Sequence, residues 1–184
     1  RWAGRPGVVA SNGRDDTQVE DVEVVDEESG ESYRRTGILV MAEHMRYLVD
    51  EYERRQSVLG NYRKAATWID LPDDTKREER FAPLFIICDE FLDHTAKANG
   101  KTLQVTMEND ARAYIVEKVD YLLRKSRNVG FHIAIIAQRA NMSLIGDTIM
   151  TNLPVRMVTG QIDKPQLGTM FAVEPSQVCL LYTS

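Results

Sequence analysis

A chain of 184 residues with 43% apolar content is about one domain long and has enough apolar side chain for an ordinary soluble core. It has no apolar run near the roughly 20 residues of a membrane span and no charged-then-apolar leader, which points to the cytoplasm. The net charge of -5 is uneven: nine of the 28 acids fall between residues 15 and 31, where there is no base, leaving 19 acids against 23 bases elsewhere.

Arg1, Gly4, Pro6 and Gly7 have the character of an inter-element loop, so a domain beginning further upstream is expected. A short strand is predicted over 7–10. The acidic run 15–31 reads as a solvated loop, because like charges repel and are costly to bury. Over 36–59 the apolar positions Ile38, Leu39, Met41, Met45, Leu48, Val49 and Tyr52 recur at three and four residues among charged neighbours. That spacing predicts an amphipathic helix, with Gly60 as its stop. A polar connection follows to Arg80. After Pro83, the continuous apolar run 84–88 predicts a strand covered on both faces. Residues 93–106 read as a loop turning at Asn99-Gly100, and 111–125 as a second amphipathic helix with Tyr114, Ile115, Val119, Leu122 and Leu123 inward. Another buried strand is predicted over 131–137, a short helix over 144–150 and a third strand over 155–159. Strands alternating with helices define an α/β class with a mainly parallel sheet and helices on its faces.

The strand 84–88 ends abruptly in Asp89-Glu90, and open parallel sheets present their active groups at the carboxyl ends of their strands. An aspartate there can hold magnesium through its water shell, and the following glutamate can polarise an attacking water. An acid pair in that place also caps helices or simply faces solvent. The strand 131–137 is followed by Gln138 and Arg139. Two neighbouring strands would then end in an acid pair and a water-positioning amide, unless Gln138 only starts a turn. Elsewhere the chemistry is sparse. Cys88 and Cys179 match no metal spacing and read as small apolar residues; His44, His94 and His132 are scattered and read as core or supporting residues. Lys118, Arg124, Lys125 and Arg127 form a modest basic cluster, read as a solvated helix face rather than a phosphate contact.

Three strings in order, LFIICDEF from Leu84, RNVGFHIAIIAQR from Arg127 and NLPVR from Asn152, resemble the FtsK/SpoIIIE branch of the P-loop ATPases. Its patterns run as an apolar strand plus DE, then RAxGIHLILATQRP, then NIPTR. The segment GILVMAEHMRYLVDEYERRQSVLGNYRKAA also looks like the family's stretch ahead of the acid strand, so the resemblance extends over residues 36–171. It implies a RecA-like P-loop NTPase fold, here truncated, in which a mainly parallel sheet carries helices on both faces. It further implies a homo-hexameric ring that uses ATP and Mg2+ to pump a polymer, most often double-stranded DNA, through its centre. Asp89 then takes the magnesium role, Glu90 the catalytic role and Gln138 the sensing of the γ-phosphate, while Arg156 reaches into the neighbouring subunit's site. Arg139, with Arg127, would support the nucleotide site or the interface, with structural ion pairs as the other reading. A membrane tether would lie outside this segment. Protein cargo, as in the related type VII secretion ATPases, and a non-hydrolysing ring scaffold are the alternatives.

The chain also departs from the pattern. Ala137 stands for the family's threonine and Ala140 for its proline, Met150 falls where a lysine is common, and Gln166-Leu167-Gly168 where a DSR-like string is expected. These are features of a divergent subgroup, such as one from a mobile element. No GxxxxGK[ST] phosphate loop occurs. In the family that loop precedes the region covered here, so residues 1–178 are expected to be part of a motor domain that does not hydrolyse ATP alone. The string CLLYTS at 179–184 resembles a translated transposase-adapter sequence, with a genuine closing strand over 178–182 as the other reading.

Overall fold

The structure, a computed structural model, describes residues 23–25, 30, 32–137, 147–159, 168 and 170–171. In chain order its elements are β1 (Glu23–Val25), β2 (Ser32–Arg34), α1 (Gly37–Gly60), a 3-10 turn (Trp68–Asp70), α2 (Asp73–Glu78), β3 (Leu84–Cys88) and α3 (Phe91–Thr95). Then come α4 (Leu103–Lys125), a second 3-10 turn (Ser126–Val129), β4 (Phe131–Ile135) and α5 (Asp147–Thr151). Among these residues no helix is long and apolar enough to cross a membrane.

Helix α1 follows its apolar period. The Thr36 carbonyl accepts from the Leu39 and Val40 N–H groups at 3.1 and 3.2 Å, and Ile38, Ala42, Met45, Tyr52 and Leu59 bury one face. That face packs on α4, whose Ala111, Ile115, Val119 and Leu122 are buried in turn. Tyr52 meets Tyr121 edge to face at 5.5 Å, a favoured aromatic geometry. Helix α4 begins at Leu103, well before the predicted start at 111, and the predicted loop 93–106 gives way to α3 and this first turn. The Thr102 hydroxyl caps it by accepting from the Val105 N–H at 3.3 Å. Gln104, Thr106, Glu108, Asn109 and Asp110 make those turns polar, which hides the helical period from an apolar pattern.

The crossover through α3 and α4 makes β3 and β4 parallel neighbours, with Leu84 opposite Phe131 and Cys88 opposite Ile135. The Leu84 N–H donates to the Gly130 carbonyl at one end and the Ile136 N–H to the Cys88 carbonyl at the other, both at 2.9 Å. Gly130 is required where it stands: its φ is +82, and a Cβ there would lie 3.1 Å from the Trp68 ring. Leu84, Ile86, Cys88, Ile133 and Ile135 pack on the helical core. Their neighbours on the opposite face do not. Phe85 is 74% and Ile87 68% exposed, and Phe85 stacks on an exposed His132 at 4.9 Å. The predicted two-faced cover is therefore corrected to one covered face among the described residues, and His132 is a surface residue rather than a core one.

Three further expectations change. Part of the acidic stretch pairs as a short antiparallel ladder, β1 with β2, Glu23 opposite Arg34. The Gln104 amide holds that ladder to α4, accepting from the Arg34 N–H at 2.7 Å and donating to the Arg34 carbonyl at 3.1 Å. The polar connection before Arg80 contains a 3-10 turn and α2. Residues 153–159 are irregular rather than a strand: Pro154 lacks an N–H to give a ladder, and Val155 and Met157 face solvent. Helix α5 covers the second half of the predicted 144–150, packs against α4, and adds Ile149 and Met150 to the core. The predicted strand at 7–10 and the segment 179–184 lie outside the described residues.

Candidate functional site

The chain leaves β3 at Asp89, an exposed residue whose Oδ1 accepts from the Glu90 N–H at 3.0 Å. Glu90 then takes the left-handed backbone, φ 48 and ψ 37, a conformation that costs energy for any residue with a Cβ. Arg80, with φ 51, is the other described non-glycine residue in that region. The Phe91 N–H donates to the Ile136 carbonyl at 3.2 Å, and the Phe91 and Leu92 side chains are buried. The strained turn is thus held on both sides, by the Asp89 carboxylate and by the end of β4. Since Cys88 is level with Ile135, the acid pair emerges beside Ile136 and Ala137, immediately before Gln138 in the chain. Gln138 and Arg139 themselves lie outside the described residues.

Arg156 is half-buried and occupied. Its Nη1 donates to the Met170 carbonyl and its Nη2 to the Met150 carbonyl, each at 2.6 Å, and its Nε to the Leu153 carbonyl at 3.3 Å. Cys88 backs the acid pair from the core side, and burial pushes its thiol up to about 11, so it is an inert thiol at neutral pH. No group of three or more His, Cys, Asp or Glu able to hold a metal occurs among the described residues. The exposed Asp89 carboxylate suits an indirect magnesium contact instead, since it is a hard oxygen ligand and Mg2+ keeps several of its waters. In the basic cluster Lys118 pairs with Glu117 at 2.7 Å and lies over the Tyr114 and Tyr121 rings, while Arg124 pairs with Asp120 at 2.8 Å.

One important residue escaped the sequence reading. Arg55, only 3% exposed, donates to Glu51 at 2.6 Å and to the Ala82 and Val129 carbonyls at 2.8 and 3.1 Å. Its guanidinium also sits over the Phe81 and Phe131 rings, at 5.0 and 5.3 Å. Arg54, donating hydrogen bonds to Glu51 from the other side, holds that carboxyl below its usual range, with Arg55 adding to the effect against the cost of burial. A signal was present: Arg55 falls three residues after Tyr52 and four before Leu59, on the apolar stripe itself.

No family model matches the chain, and no curated protein matches it. A solved structure does: the pCW3 conjugation coupling protein TcpA, in its monomer form with ATPγS, is similar with a TM-score of 0.63 at 20% sequence identity. The similarity covers 74% of this chain and 37% of that one, so the chain spans little more than a third of the coupling protein's length. At this identity the likeness is one of fold, a mixed arrangement of helices on parallel strands.

Proposed function

We propose that the chain belongs to the motor of an FtsK/SpoIIIE-like ATPase, a RecA-like P-loop NTPase that couples ATP hydrolysis to movement of double-stranded DNA. The setting would be conjugation, plasmid transfer or chromosome segregation, with the motor domains forming a homo-hexameric ring in the cytoplasm. The observation that carries this reading is the acid pair at the carboxyl end of β3, on a strained turn tied to the end of the neighbouring parallel strand. The fold shared with a conjugation coupling protein supports the reading.

Each residue has a task in that chemistry. Asp89 would hold Mg2+ through water, and Mg2+ bound there would supply charge neutralisation at the phosphate oxygens. Glu90 takes a proton from the attacking water, and the pinned backbone fixes where its carboxylate leaves the chain. Gln138, three residues past β4 in the sequence, would position that water against the γ-phosphate, and Arg139 would support the nucleotide. Arg156 supplies a planar, permanently charged fork to the neighbouring subunit's phosphates. The 184 residues contain no GxxxxGK[ST] phosphate loop, so this reading assigns them no phosphate cradle.

The intact protein should hydrolyse ATP faster when double-stranded DNA is added, whatever its sequence. Its DNA affinity should fall by about 10³-fold or more between roughly 50 and 200 mM salt, because phosphate contacts release counterions. Steady-state turnover and a salt titration of DNA binding check both. Turnover that ignores DNA and responds to a protein substrate would replace the cargo; nucleotide binding without turnover would leave a ring scaffold.

A further inference from the structure

The Arg156 guanidinium cannot serve two sites at once. In the single chain it donates to three main-chain carbonyls, Met150 in the last turn of α5, Leu153 just beyond, and Met170 across the intervening segment. The end of α5 is also held by the buried Ile149 and Met150 side chains and by the Asn152 side-chain amide, which donates to the Thr148 carbonyl at 2.8 Å, but its main-chain bonds are long. Asn152 N–H reaches the Thr148 and Ile149 carbonyls at 3.3 and 3.1 Å, and Leu153 N–H reaches Met150 at 3.3 Å, long bonds typical of a fraying helix end. A cation at a helix C-terminus also meets the negative end of the backbone dipoles. Arg156 thus acts as a staple between α5 and the helical residues around Met170, both of which pack on the core.

We propose that Arg156 is a latch, which in the lone subunit closes in cis on these carbonyls and in the ring opens to reach a neighbour's nucleotide. The inference rests on the motor reading above. A phosphate oxygen carries charge that a carbonyl oxygen lacks, and so draws the guanidinium away. Opening removes the staple, and the end of α5 and the segment at Met170 loosen together. Subunit contact at the nucleotide is thereby coupled to a change in the fold of the subunit that donates the arginine.

Hydrogen exchange on the intact protein reads the latch directly, through the amides of Asn152 and Leu153. In the monomer, Arg156→Ala should raise their exchange about tenfold or more, the scale of a lost charged hydrogen bond. Arg156→Lys keeps the charge but cannot span three acceptors, so it should give a similar rise and covers the case in which the alanine variant fails to fold. In the ATPγS-bound ring the wild-type protein should show that same rise, and the variants should show no further one. Unchanged exchange in both monomeric variants would overturn the staple. Wild-type protection that persists in the ring, or a protein that stays monomeric with ATPγS, would overturn the opening. Whether Glu90→Gln slows turnover is independent of these readouts, so failure of the motor reading and failure of the latch are distinguishable.

Discussion

Glu90 carries both the strained backbone of the turn and the candidate catalytic carboxylate. A non-glycine residue at φ 48 has to be held there, and the Asp89 carboxylate and the Ile136 carbonyl hold it from either side. If the turn is kept for the sake of the carboxylate, removing the Cβ strain should stabilise the chain. Glu90→Gly is therefore expected to melt about 2–4 °C above Glu90→Ala, corresponding to about 1 kcal/mol of left-handed strain in a chain of this length. Alanine is the right reference because both variants lose the same carboxylate contacts. Calorimetry of the pair checks it, with Arg80→Gly against Arg80→Ala as a second left-handed position outside the site. Equal melting temperatures would mean that Glu90 bears no strain.

At the scale of elements, one buried side chain ties α1 to the starts of both strands. Arg55 joins α1 to the residue two before β3 and to the turn before β4, through the Ala82 and Val129 carbonyls. Arg55→Lys keeps the charge but loses the fork, and is expected to cost about 1.5–3 kcal/mol, the range for hydrogen bonds to a charged group. Arg54→Lys, nearer the surface on the same carboxylate, should cost under about 1 kcal/mol. Urea unfolding of the two variants checks the contrast. Much of this level was legible beforehand. The strand 84–88 announces itself by a run of five apolar residues after Pro83, and α1 by its three-and-four spacing. The start of α4 was hidden because its first turns are polar and depend on the Thr102 cap. A third strand was expected over 155–159, and Pro154 together with the arginine staple on the neighbouring carbonyls leaves 153–159 irregular.

At the scale of the whole molecule, the cover of the sheet on one face only, among the described residues, is the main departure from expectation. Phe85 and Ile87 have the composition of a covered face, and composition reports what a strand tolerates rather than what lies against it. The candidate site was legible as a position, because an acid pair after an apolar strand is a local pattern. Its strained backbone was not, since it depends on the long-range contact of Phe91 with Ile136, and neither was the occupied guanidinium of Arg156, whose main-chain carbonyl partners leave no mark in the residue types. The central claim is that Asp89 and Glu90 form part of a hydrolytic centre, and the most direct measurement is ATP turnover beside ATP binding for Glu90→Gln in the intact protein. The glutamine keeps the shape of the side chain but cannot take a proton. ATP binding is expected close to wild type and turnover at least about 100-fold slower, the scale of a lost general base. Turnover near the wild-type rate would contradict that claim and remove Glu90 from the chemistry.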